Sequence, residues 1–322
     1  MKKQFIILIA LLLCLALTAC SKADTVAMYN TNIGSLAHDS VDVMGVTYDF
    51  YDNGYALIEK ILHENAQLNE TVNYNGKDYT VFSFVQPKVS TLQETGAFGH
   101  GELKSPDNLV LPSTIAGIPN YALAHCNAST ITLPSGLQSI GIGAFRECRN
   151  IETIELPDSL TYIGANKLFQ NCTSLVTVEF PTDCSIQFFD NTFEGCTSLE
   201  TITVPASVDY IGRLAFYQCY ALNCVIIENG VQEIKEGAFY ECTALETLVI
   251  PDSVITIADY AFQGCTSLSE ITLPDNMTDV SAKLFTDIYK QNVDVSGLTI
   301  YVKPDLVSYV QSLYPTTNVV SK

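Results

Sequence analysis

The chain has 322 residues, of which 48% are hydrophobic and 16% charged, and it contains no Trp. That is too apolar for a disordered chain, and the length allows one to three domains with an ample core. Sixteen Lys and Arg against 35 Asp and Glu leave a net charge of −19. This excludes nucleic-acid binding by phosphate neutralisation, which needs a basic face, and leaves open an acidic, adhesive or cation-tolerant surface.

Lys2 and Lys3 precede an apolar run from Phe5 to Leu17. The run is too short for a stable spanning helix, and its basic start reads as a secretory signal over residues 1–19. It ends Leu17-Thr18-Ala19-Cys20, which resembles the bacterial lipobox. The resemblance implies that the Cys20 thiol is acylated and becomes the first mature residue, anchoring the protein to a membrane. Removing residues 1–19, with Lys2 and Lys3, takes the net charge from −19 to −21. Residues 20–40 are expected to be a flexible tether.

Residues 41–90 are expected to form an N-terminal β cap. Val46 to Phe50 alternates, Asp52-Asn53-Gly54 is a hairpin signal, and Tyr55 to Ile58 follows. A second hairpin is centred on Asn75-Gly76. Residues 56–67 fit either a helix or a strand.

From residue 91 to 288 the chain repeats. Cys126, Cys148, Cys172, Cys196, Cys219, Cys242 and Cys265 are spaced by 22, 24, 24, 23, 23 and 23 residues. Three residues before each stands Leu123, Phe145, Phe169, Phe193, Phe216, Phe239 or Phe262, and Phe98 and Phe285 extend the series. A Pro lies upstream in every unit but one, where Glu228 takes its place. In one unit, Thr247 to Ile250 alternates as a strand and Pro251, which cannot donate to a ladder, ends it. Val254 and Ile257 point inward, and Phe262 is a bulky wedge. No unit can bury its own apolar face, so neighbours must stack, at roughly 4.8 Å, into a β-rich solenoid roughly 40 Å long.

The pattern is cleanest from Ile131 to Cys148, with Ile151 following: Ile-x-Leu-Pro-x-x-Leu-x-x-Ile-Gly-x-x-Ala-Phe-x-x-Cys-x-x-Leu. It resembles the BspA-type leucine-rich repeat of bacterial surface proteins, over roughly residues 67–302. That resemblance implies a leucine-rich repeat array of about 23-residue units and a role in adhesion or matrix binding. The fold alone is a scaffold. Residues 289–322 are expected to be a short C-terminal cap. Leu298 to Val302 reads as a last strand, stopped at Lys303-Pro304, and Asp305 to Leu313 as a short helix.

Seven Cys at one position per unit suit a reduced ladder of small buried groups. The alternatives are disulfides between repeats and, less favoured by the absence of any Cys-x-x-Cys, a zinc site. Cys184 and Cys224 stand outside the ladder, and Cys224 is a candidate exposed thiol.

Strand alternation turns one set of side chains outward. It comprises Thr130, Thr132, Thr153, Glu155, Thr177, Glu179, Thr201, Thr203, Thr247 and Thr272, with Ile226 and Val249 as apolar points. Thr is also a good solvent-facing strand residue in its own right. As a whole the stripe is the candidate binding face. Catalysis finds little support. His38, His63, His100 and His125 form no metal or nucleophile motif, and glycines such as Gly141 and Gly143 recur with the repeat.

The expected protein is a non-catalytic, lipid-anchored binding or adhesion module at the cell surface, without cofactor or metal, for protein or glycan ligands. A structural scaffold inside the envelope is the alternative. An enzyme would need a site that this sequence does not display.

Overall fold

A computed structural model describes residues 36–43, 46–51, 55–61, 67–84, 106–181, 184–186, 190–277, 280–285 and 295–322. The signal segment, Cys20, the Asp52-Asn53-Gly54 hairpin signal, His63, Phe98 and His100 lie outside the described residues.

Five N-terminal strands form one sheet: β1 (Leu36–Val43), β2 (Val46–Tyr51), β3 (Tyr55–Ile61), β4 (Thr71–Tyr74) and β5 (Lys77–Phe84), in the order β1-β2-β3-β5-β4. Residues 55–61 are therefore a strand. The hairpin between β4 and β5 turns on Asn75 and Gly76 at φ 53° and 77°, as a two-residue turn matching the strand twist requires. The last residues of the expected tether, 36–40, belong to β1, which pairs antiparallel with β2 and extends the sheet edge. Phe50, Ile58, Val81 and Phe84 fill the sheet's apolar side. The sheet joins the array through hydrogen bonds: Ser83 Oγ donates to Gly117 O at 2.8 Å, and the hydroxyls of Ser113 and Thr114 donate to Glu70 and to Val81 O.

From residue 106 to 272 a longer strand alternates with a two-residue strand, and a further longer strand follows. The series runs β6 (Asn108–Val110), β7 (Gly117–Ile118), β8 (Thr130–Thr132), β9 (Ser139–Ile140), β10 (Thr153–Glu155), β11 (Tyr162–Ile163), β12 (Thr177–Glu179) and β13 (Ser185–Ile186). It continues with β14 (Thr201–Val204), β15 (Tyr210–Ile211), β16 (Cys224–Ile227), β17 (Glu233–Ile234), β18 (Thr247–Val249), β19 (Thr256–Ile257), β20 (Glu270–Thr272) and β21 (Thr299–Val302). All the ladders between repeats are parallel. The longer strands form one side of the coil and the two-residue strands a second.

A 3-10 turn (Pro304–Leu306) and the helix α1 (Val307–Leu313) follow β21. The chain then returns as β22 (Asn318–Ser321), parallel to β21, so the strand at Leu298 to Val302 is not the last one. Tyr314 packs its ring edge-on to Phe285 at 5.2 Å and closes the aromatic series.

The third side is built from turns. In each unit the residues five and one before the ladder Cys have positive φ: Tyr121 and His125, Gly143 and Glu147, Lys167 and Asn171, Asn191 and Gly195, Leu214 and Gln218, Gly237 and Glu241, Tyr260 and Gly264. Ten of these fourteen carry a side chain, at a cost of about 1–2 kcal/mol each. The stack holds them there because alternate N–H groups then bond along the coil axis. Tyr121, Leu123 and His125 donate to Ile142, Ala144 and Arg146 of the next unit, while Ala122, Ala124 and Cys126 donate within their own turn. The four glycines sit where the preceding unit is bulky. A Cβ on Gly143 would lie 2.2 Å from the Tyr121 ring, and one on Gly195 2.3 Å from Asn171 Oδ1.

Inside, the wedge rings stack from Phe145 to Phe262 with centroids 5.1–5.7 Å apart, and Phe285 continues the column at 5.9 Å. Such aromatic pairs contribute roughly 0.5–1.5 kcal/mol beyond their burial. Val254 and Ile257 are buried beside them.

Candidate binding face

The longer strands turn two rows of side chains outward. Parallel registry aligns Thr153 with Thr177 and Glu155 with Glu179, Thr201 with Cys224 and Thr203 with Ile226, and Thr247 with Glu270 and Val249 with Thr272. The intervening Ile154, Val178, Ile202, Val225, Leu248 and Ile271 are buried. The expected stripe is thus brought together on one face. Thr130, Thr132, Thr153, Glu155, Glu179, Thr201, Thr203 and Thr247 are exposed, while Thr177 and Thr272 are half-buried. Ile226 and Val249 are 54% and 66% exposed. Parallel strands at roughly 4.8 Å spacing set one outward side chain above the next at a fixed interval along the face.

The face is indented where β12, β14 and β16 meet. A shallow groove of about 580 Å³ is lined there by Thr177, Glu179, Thr201, Thr203, Cys224, Ile226 and Glu228, over a floor that includes Phe180 and Ile202. The unit without a Pro contributes to it. Where Pro would remove a donor, the Glu228 N–H bonds Val204 O at 3.0 Å. The Glu228 carboxylate reaches back to accept the Ala206 N–H at 2.9 Å. Strands β14 and β16 each run to four residues at this point.

Cys224 is exposed on this face and free. The other described cysteines are not in disulfides either, and Cys265 is the ladder member that is only half-buried. The ladder does more than fill space. Each thiol from Cys148 to Cys265 donates to the wedge carbonyl of the preceding unit, at 3.1–3.2 Å. The same carbonyl also accepts the N–H of its own unit's Cys, as Phe169 O does from Cys172. A small apolar residue would fit there but could not make the second bond; sequence reasoning took Cys for its size and missed the donor. Burial raises these thiols' pKa, that of Cys265 to about 12, and those of Cys172, Cys196 and Cys242 well above the usual value. They are poor nucleophiles, because the thiolate is the reactive form. Burial likewise raises Cys184, to about 11.

His125 is not arranged around the adjacent Cys126. It occupies a left-handed turn position, and its Nδ1 lies 3.4 Å from Glu147 Oε2. Glu147 also takes Arg149 at 3.0 Å. Among the described residues no group of three or more His, Cys, Asp or Glu has the geometry to hold a metal ion, and no helix is long and apolar enough to cross a membrane.

No curated protein matches the chain. Among solved structures it is similar to a leucine rich cell surface protein from Faecalibacterium prausnitzii A2-165, at 18% identity and a TM-score of 0.47, covering 89% of this chain and 95% of that one. It is similar to the T. pallidum leucine rich repeat protein TpLRR, at 21% identity and 0.48, covering 71% and 91%. It is also similar to the pneumococcal vaccine antigen PcpA, at 16% and 0.36, covering 91% and 100%. A family profile described as the BspA type leucine rich repeat region matches residues 94–187 and 186–313 in six copies. Because that profile covers more than half of the chain, the chain belongs to the BspA-type leucine-rich repeat family.

Proposed function

We propose that the protein is a non-catalytic binding or adhesion module, exported and anchored by lipid at Cys20, that presents its outer strand face to protein or glycan ligands at the cell surface. The observation that carries this reading is the two-row face of Thr, Glu, Ile226 and Val249, whose side chains point out of a rigid ladder and are not used by the core. Membership of a repeat family typical of bacterial surface proteins supports the location. The lipobox-like Leu17-Thr18-Ala19-Cys20 supports the anchor. Affinity would arise from many small contacts spread over the units, without a cofactor.

Protease treatment of intact cells, read with an antibody to the repeats, tests the location. Loss of the repeats with cytoplasmic proteins untouched is expected. Protection until the envelope is broken would replace adhesion by an envelope scaffold. Cys20→Ala is expected to release the protein from the membrane fraction; unchanged fractionation would remove the anchor. Thr203→Lys with Val249→Lys is expected to weaken adhesion to host matrix or neighbouring cells while leaving the fold intact.

A further inference from the structure

Charge is distributed unevenly around the coil. The cations described between residues 106 and 285 are Arg146, Arg149, Lys167, Arg213, Lys235 and Lys283, and none lies in the outward rows of the longer strands. Arg149 and Arg146 stand beside Glu147, Lys235 bonds Glu233 and Lys283 bonds Asp259. The acidic groups beside these cations are therefore compensated. On the strand side, Glu155, Glu179 and Glu270 are exposed and enter no ion pair among the described residues. Between Glu179 and Glu270 the same face exposes Ile226 and Val249.

We propose that this face binds an extended, cationic stretch of polypeptide. Its Lys or Arg side chains lie against Glu155, Glu179 and Glu270, and a small aliphatic side chain lies against Ile226 and Val249. The inference rests on the reading of the strand side as the ligand face and adds the chemistry of the ligand. The carboxylates attract and orient a cationic partner at encounter. The Thr hydroxyls both donate and accept, which suits the N–H and C=O groups of a backbone. From Glu155 on β10 to Glu270 on β20 is roughly 24 Å at the strand spacing, a distance that about seven extended residues span. A sulfated or sialylated glycan would meet uncompensated carboxylates. A neutral glycan would find one aromatic ring, Tyr301, in the described outward rows. A second copy would set Glu against Glu between chains of net charge −19.

The test uses the full chain and a fluorescent peptide of about ten residues that carries Lys, Lys, Val and Lys in that order on one extended face, with Ser at the intervening positions. Its comparators are the same peptide with Glu for Lys, and heparin. The Lys peptide is expected to bind and to lose roughly tenfold in affinity between about 50 mM and about 300 mM salt. Glu155→Gln, Glu179→Gln and Glu270→Gln together are expected to cost roughly tenfold at low salt and to flatten the salt dependence. Ile226→Ser with Val249→Ser is expected to weaken binding at both salt concentrations. Glu236→Gln, an exposed carboxylate beside Arg213, is expected to change nothing. Equal binding of the two peptides, preference for heparin, or indifference to the triple Gln variant would each overturn the inference. Adhesion to whole cells separates the two levels. If the strand-face variants abolish adhesion while the Lys peptide does not bind, the ligand chemistry is wrong and the face is right. If adhesion survives them, the face itself is wrong.

Discussion

The turn side and the strand side of the solenoid recur with the same spacing but spend it differently. On the turn side, unit after unit repeats one arrangement: a stacked ring, a thiol bonded to the wedge carbonyl before it, and two left-handed residues. On the strand side the backbone repeats as closely, yet the outward residues pass from Thr through Glu to Cys224, Ile226 and Val249. Where a side chain must fit between its copies above and below, the neighbours dictate it. Where it faces water, only strand geometry constrains it, and the chemistry is free to change along the array.

The sharpest way to break that contrast is to ionise the turn side. A ladder thiol has an ordinary pKa near 9, and burial holds Cys265 at about 12 in the fold. The folded state thus retains protons that the unfolded chain has lost. Stability from this group is complete below pH 9 and is lost as pH rises through 12, with the deeper rungs moving the same way. Denaturation midpoints are expected to be level up to pH 8 and to fall steeply between 9 and 12. A level profile across that window would remove the claim.

Single substitutions grade the same contrast. Phe239→Ala opens the ring column between Phe216 and Phe262 and is expected to cost about 3–5 kcal/mol, read by urea unfolding. Local loss of repeats before global unfolding would appear as a broadened transition. Gly143→Ala places a Cβ against the Tyr121 ring at φ 58°, and is expected to cost about 1–2 kcal/mol. Thr203→Ala on the exposed row is expected to stay within about 0.5 kcal/mol. A cost for Thr203→Ala as large as that for Phe239→Ala would mean that the strand side is structural and not free.

Much of this organisation was legible from residues alone. The Cys spacing set the period, Phe three residues earlier marked the wedge, and Pro251 marked the strand end. Alternation in Thr247 to Ile250 told inside from outside correctly, because a half-buried strand writes its two faces into every second residue. The second ladder was not legible: a two-residue strand such as Thr256–Ile257 is too short to show a period. Nor were the left-handed positions, since Leu214 and Tyr260 are held at positive φ by bonds to neighbouring turns and not by their own preference. At the candidate face, alternation distinguishes the outward side chains from the buried ones, although Thr177 and Thr272 are half-buried. The groove was not legible, because its lining joins residues of β12, β14 and β16, with Glu228 in the slot where other units have Pro.

The thiol-to-carbonyl bond has a consequence for how such a chain can change its length. Each joint is the same joint: Cys242 Sγ meets Phe216 O, and Cys265 Sγ meets Phe239 O. Excising one whole unit, residues 220–242, would bring Cys265 opposite Phe216 and restore a bond of the same kind. The protein behaves like a chain of identical couplings, in which a link can be taken out or added without machining a new connector. Its reach can therefore be set by counting units, in steps of roughly 5 Å, while the variable strand side decides what lies along it.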